Sequence, residues 1–125
     1  MTTSTKTIIL VEDEPDILHL LQRLLQPLIG DYTIVSASDG QTALTYLQND
    51  DVPLLITDYN MPEMNGLLLT SQVKERSPST KVALITAYHT PQLQRLARLH
   101  GVDYYLPKPF SIDELEMLLG RVLQA

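Results

Sequence analysis

Cysteine is absent from the 125-residue chain, which removes disulfides, thiolate zinc sites and iron–sulfur clusters from consideration. A cysteine-free chain fits the cytoplasm, where thiols stay reduced, and that is the expected location. Basic residues are scarce: nine Lys and Arg stand against fifteen Asp and Glu, for a formal net charge of −6. A nucleic-acid surface needs clustered cations to neutralise phosphates, and an anionic membrane attracts the same groups. Neither partner is expected. Long apolar runs are missing too. Met1-Thr-Thr-Ser-Thr-Lys6 leads into the short run Ile8 to Val11, which Glu12-Asp13-Glu14 breaks at once. That is too short for a signal-peptide core or a membrane span, so a soluble intracellular protein is expected. There is no linker, repeat or low-complexity stretch. With 44% hydrophobic and 19% charged residues, the chain can build a core, and residues 1–125 are expected to form a single domain.

What is present is an alternation of short apolar runs and longer helical patterns. The runs are Thr7–Val11, Tyr32–Ser36, Pro53–Thr57, Lys81–Thr86 and Asp103–Leu106. The first, third and fourth are nearly continuous Ile, Leu and Val, as suits strands buried on both faces of a parallel sheet. The second and fifth are mixed, as suits sheet edges. Pro15 to Ile29 has helical spacing, with Pro15 in a first turn and Gly30 as its close. Pro27 is expected to kink that helix or end it early. Ser38 to Gln41 and Ser111 to Glu114 read as capping boxes, and Asn65 and Thr90 as further helix starts. Ser77-Pro78 and Gly101 are stops. Five β-α units with right-handed crossovers give an α/β fold, a doubly wound parallel sheet of five strands. The order assigned is 2-1-3-4-5, the flavodoxin-like (βα)5 arrangement.

Polar residues collect where these strands end. Glu12, Asp13 and Glu14 follow the first, Asp58 follows the third, Thr86 closes the fourth and Lys108 follows the fifth. The carboxyl edge of an open parallel sheet is where sites form. With strands one and three adjacent, Glu12, Asp13 and Asp58 converge, and three carboxylates together favour a cation among them. An oxygen-only donor set suits a hard ion such as Mg²⁺, with Mn²⁺ as the alternative, rather than zinc. A carboxylate can act as a nucleophile toward phosphorus. Lys108, Thr86 and the ion would then each have a phosphoryl oxygen to neutralise.

Four motifs at those positions resemble the receiver domain of response regulators: Val11-Glu-Asp-Glu14, Asp58-Tyr-Asn-Met-Pro-Glu-Met-Asn-Gly66, Thr86-Ala87 and Tyr105-Leu-Pro-Lys-Pro-Phe110. The resemblance covers essentially the whole chain. It implies that Asp58 is the phosphoacceptor and Asp13 the main carboxylate ligand of Mg²⁺, with Glu12 helping through water. Asn60 would lend the ion its backbone carbonyl. Thr86 and Lys108 would bind the phosphoryl group, and Tyr105 would be the switch aromatic that moves as Thr86 turns. The Lys108–Pro109 bond would be cis. Asn60 and Tyr88 would tune hydrolysis of the acyl phosphate, a bulky Tyr88 shielding the bond. The implied donor is a histidine kinase or histidine phosphotransfer protein, met near the Pro15 helix. The output surface would lie on the Thr90 helix, strand five and the Ser111 helix. That surface would serve a downstream protein target, an output domain missing from this chain, or a phosphorylation-dependent homodimer. It carries Arg95, Arg98, Asp103, Glu114 and Glu116, a set of charges that could pair across a dimer. Glu12 stands where Asp is frequent in the family, and Pro107 where many members have a small polar residue.

Plainer readings stand beside these. An acidic triplet before a helix is also an ordinary solvated start, and Glu14 is read as a capping or surface residue. Tyr105 suits a strand core as well as a switch; of Tyr104 and Tyr105, one should point inward and the other outward. His19, His89 and His100 have no partner to name, and Met61 and Met64 are read as packing. An aspartyl-nucleophile phosphatase would carry a second acid two residues after the nucleophile; here Asn60 stands there. A phosphate-independent binding module is the remaining alternative. The expected role is regulatory and not enzymatic: a phosphoacceptor signalling switch whose chemistry acts on itself.

Overall fold

The computed structural model describes residues 6–48 and 51–123. The opening Met1–Thr5 lies outside them. Five strands and five helices alternate. They are β1 Lys6–Val11, α1 Pro15–Ile29, β2 Thr33–Ala37, α2 Gly40–Leu47, β3 Asp51–Asp58, α3 Gly66–Arg76, β4 Lys81–Thr86, α4 Pro91–His100, β5 Tyr104–Pro107 and α5 Ile112–Leu123. The sheet runs β2-β1-β3-β4-β5 with every pair parallel. The doubly wound α/β fold and its strand order are those expected from the sequence. The mixed runs form the two edges, and the Ile/Leu/Val runs fill the middle.

Strand alternation divides the core. Ile8, Leu10, Leu54 and Ile56 pack with Leu21 and Leu25 of α1 and Leu115 and Leu119 of α5. Ile9, Val11 and Leu55 face the other way, toward Ala43 and Leu44 of α2 and Leu69 and Val73 of α3. Leu84 meets Leu67, Leu93 and Ala97 under α3 and α4. Both faces are thus covered. For that reason Tyr104 and Tyr105 are both half-buried on opposite faces, where one had been expected outside.

Several local expectations are corrected. α1 runs through Pro27 to Ile29. Pro27 lies in the last turn, so it removes one bond near an end that frays anyway. α2 is capped by Asp39, whose carboxylate accepts the Thr42 N–H at 2.8 Å, and not by Ser38. The Ser111 box does form: Ser111 N–H donates to Glu114 Oε1 at 3.0 Å, and Glu114 N–H to Ser111 Oγ at 3.1 Å. β3 is longer than its apolar run and ends on Asp58 itself. Its register against β1 slips between the Lys6–Asp51 and Ile8–Leu54 pairs. Pro53, with no N–H for the ladder, sits in that slip.

Candidate functional site

The registers place one polar residue after another along one edge. Val11 pairs with Thr57, Asp58 with Ile85, and Thr86 with Pro107. The residues ending β1, β3, β4 and β5 therefore lie side by side. Glu12 is drawn in under the edge because its N–H donates to the Ala37 carbonyl of β2 at 3.0 Å. Its side chain is 2% exposed, while Asp13 and Glu14 are exposed. Glu14 stands at the start of α1 with no side-chain cap. Glu12 serves there instead, accepting the Glu14 N–H at 3.2 Å.

Glu12, Asp13 and Asp58 each bring a carboxylate oxygen within 4.8 Å of the others. Lys108 reaches over from the end of β5, its Nζ 3.8 Å from Asp58 Oδ1 and 4.0 Å from Glu12 Oε1. One cation facing three carboxylates leaves the cluster negative. Burial pushes the Asp58 carboxyl above the usual range, and Lys108 pulls against it. Glu12 moves further, from the usual 4.5 to about 7; burial dominates, partly offset by the bond from Glu14. The oxygen-only set fits a hard divalent cation, which would answer the excess negative charge.

The shift of Glu12 has a consequence for stability. A carboxyl whose pKa rises on folding favours the fold while protonated. That contribution is complete below the unfolded value of 4.5 and is lost as pH rises through about 7. A shift of this size corresponds to about 3 kcal/mol. Melting temperature in chelator is expected to fall between pH 4.5 and 7.5, and Glu12→Gln to flatten most of that slope. An unchanged slope in the variant would place the titration elsewhere.

The loop after β3 is held close. Tyr59 N–H is shared between Ile85 O and Asp58 Oδ1, each at 3.0 Å, which fixes the carboxylate's rotamer. Asn60 is exposed and Met61 is buried among the α2 and α3 side chains. Gly66 N–H returns to Tyr59 O at 2.8 Å, and Asn65 caps α3 by accepting the N–H groups of Leu67 and Leu68.

Thr86 is fully buried. Its Oγ1 accepts the Tyr88 N–H at 2.9 Å, which leaves its own proton to donate, and its carbonyl takes the Lys108 N–H at 2.8 Å. The Lys108–Pro109 bond is cis. Tyr88 is not drawn into the cluster; the residue is 61% exposed. Tyr105 lies farther along the edge, and its hydroxyl meets His89, a residue to which the sequence assigned no partner. Of the charges expected on the output surface, Asp103 is engaged within the molecule, by Lys74 Nζ at 2.6 Å and the Val82 N–H at 2.8 Å.

Residues 8–119 match the family model described as the response regulator receiver domain. The DNA-binding transcriptional regulator NtrC of Salmonella typhimurium is 34% identical over 113 residues, which make up 90% of this chain and 24% of that protein. The chain therefore spans about a quarter of the length of this relative. The signal receiver domain of an HD domain-containing protein from Pseudomonas fluorescens is 34% identical with a TM-score of 0.87, covering 96% of this chain and 95% of that one. The chemotaxis protein CheY4 of Vibrio cholerae is 27% identical with a TM-score of 0.84, covering 95% and 99%.

Proposed function

Because the chain belongs to the response regulator receiver domain family, we propose that it is a Mg²⁺-dependent phosphoacceptor whose nucleophile is Asp58. The observation that carries this reading is the cluster itself: three carboxylates within 4.8 Å, one of them 3.8 Å from Lys108 Nζ, on the carboxyl edge of the sheet. The free Oδ of Asp58 attacks the phosphorus of a phosphohistidine. The new carboxyl–oxygen–phosphorus bond forms as the phosphorus–nitrogen bond breaks, and the ring leaves as neutral imidazole, keeping the proton its other nitrogen already carries. Asp13, Asp58 and the Asn60 carbonyl would hold Mg²⁺, with Glu12 acting through water. When bound, the ion supplies positive charge to the phosphoryl oxygens. Lys108 offers a second cation, and the Thr86 hydroxyl a donor once it turns from Tyr88. Asn60 and Tyr88 flank the site and are read as tuning dephosphorylation; shielding by Tyr88 requires its exposed ring to fold over the acyl phosphate.

The donor is read as a histidine kinase or histidine phosphotransfer protein. A groove of about 490 Å³ supports this: Ile17, Leu20, Leu24 and Phe110 give it an apolar floor, and Lys108, whose Nζ lies 3.8 Å from Asp58 Oδ1, stands at its side. Residues 1–125 are read as one receiver unit that acts on an output target or domain through α4, β5 and α5. Asp103 is already paired and Glu114 accepts the Ser111 N–H, while Arg95, Arg98 and Glu116 are exposed charges on that surface. The role is regulatory, and cytoplasmic location is part of the proposal. Among the described residues no helix is long and apolar enough to cross a membrane.

Intact mass after incubation with a small acyl-phosphate donor tests the reading. A gain of one phosphoryl group that needs Mg²⁺ and vanishes with chelator is expected. No gain, together with no binding of beryllofluoride, would leave a binding module independent of phosphate.

A further inference from the structure

Three consecutive residues between β4 and α4 each hold a different part of the edge. Tyr88 N–H holds Thr86 Oγ1 at 2.9 Å. His89 Nδ1 lies 3.0 Å from the Tyr105 hydroxyl, and the two rings sit 5.3 Å apart at 54°. Thr90 Oγ1 caps α4 by accepting the Leu93 N–H at 3.0 Å. Tyr105 has its ring half-buried against the cluster of Leu67, Leu84, Leu93, Ala97 and Val102, so only the phenol is left to be steered. Thr86 cannot turn its hydroxyl elsewhere without releasing Tyr88, and Tyr88 is covalently joined to His89.

We propose that His89 is a positioning residue for the switch: its Nδ1 ties the Tyr105 hydroxyl to the same loop segment that engages Thr86, so that the two side chains change place together. The inference rests on the phosphoacceptor reading. The bond belongs to the resting arrangement, in which the Thr86 hydroxyl is occupied by Tyr88. A phosphoryl group that draws Thr86 away must break it, and only such a difference between two arrangements can bias an equilibrium. The neutral imidazole can accept the phenol proton at Nδ1 or, in the other tautomer, donate to the phenol oxygen. Among the described residues no Asp or Glu pairs with His89. The titratable neighbours brought by the loop and by the face of β5 that meets it are Tyr88 and Tyr105, and the first charge along α4 is Arg95.

Two readouts test this on the full chain. In the resting protein, the ring signals of Tyr105 in a tyrosine-labelled NMR spectrum, assigned with Tyr105→Phe, should titrate with the imidazole of His89. His89→Asn, whose amide can stand where Nδ1 does, should keep the ring in place and lose the titration. With Mg²⁺, His89→Ala and Tyr105→Phe should each bind beryllofluoride about fivefold more tightly, the weight of one ordinary hydrogen bond. The double variant should gain no more than either single change, and His89→Asn should resemble wild type. Additive gains, or no gain, overturn the proposal, as does a Tyr105 ring blind to the imidazole. A wild-type protein that binds no beryllofluoride sinks the phosphoacceptor reading and the switch role with it; a persisting titration then shows the contact alone to be real.

Discussion

Asp58→Asn is expected to take up no phosphoryl group under conditions that label wild type, and at the same time to melt at a higher temperature in chelator. The first effect follows from the proposed role of Asp58 as nucleophile. An amide oxygen carries no full negative charge, and removal of a catalytic nucleophile costs several orders of magnitude in rate. The second follows from the surroundings. Asp58 is half-buried, its carboxyl pushed up by burial and by the charge of Asp13, with Lys108 only partly compensating. Asparagine keeps an oxygen to accept the Tyr59 N–H, now 3.0 Å from Oδ1, so the rotamer survives while the desolvated charge is gone. Lys108 then turns toward Glu12, and losing the Asp58 charge lowers the Glu12 carboxyl somewhat, though burial still holds it above its ordinary range. Mass spectrometry and melting curves read the two effects separately. Loss of labelling with lowered stability would mean that Asp58 supports the fold, and a retained label would move the phosphoryl site elsewhere.

Much of this was legible because strand and site share one cause. The Ile, Leu and Val runs are long enough to cross a buried sheet and stop where the chain reaches its edge, so the polar residue after each stop marks that edge. Glu12, Asp58, Thr86 and Lys108 could be placed on this basis. What the runs do not carry is depth. Glu12 and Asp13 are neighbours of the same charge, yet one is 2% exposed and the other open to solvent. The difference comes from a backbone bond to Ala37, a residue 25 positions away in sequence. The Asp39 cap was missed because Ser and Asp are both good caps and adjacent; only the turn geometry chooses. His89 was missed for a similar reason. Its partner lies 16 residues on, across a crossover, and nothing local marks the pair. The one available signal was that the phenol of an inward-turned Tyr105 needs a polar neighbour.

Gly66→Ala should be the most damaging single change outside the charged cluster. A Cβ at this position would fall 2.6 Å from the Asp58 carbonyl oxygen, 2.5 Å from Leu84 Cδ1 and 3.1 Å from Tyr59 Cα. Two of these are backbone atoms of the segment that carries Asp58, so the strain cannot be relieved by turning a side chain. Either α3 backs away, breaking the 2.8 Å bond from Gly66 N–H to Tyr59 O, or the end of β3 moves and takes Asp58 with it. Overpacking of this kind costs about 3 kcal/mol, or roughly 10 °C in melting temperature for a domain of this size. Phosphoryl uptake should drop at least tenfold even well below the melting transition, because a displacement near 1 Å at a reacting group is worth more than that. Gly120→Ala gives the contrast. It lies within α5 with nothing inside 4 Å of the added carbon, so the gain in helix propensity should stabilise the protein by about 0.5–1 kcal/mol and leave uptake unchanged. If the two alanines behave alike, close approach at Gly66 is not what seats Asp58.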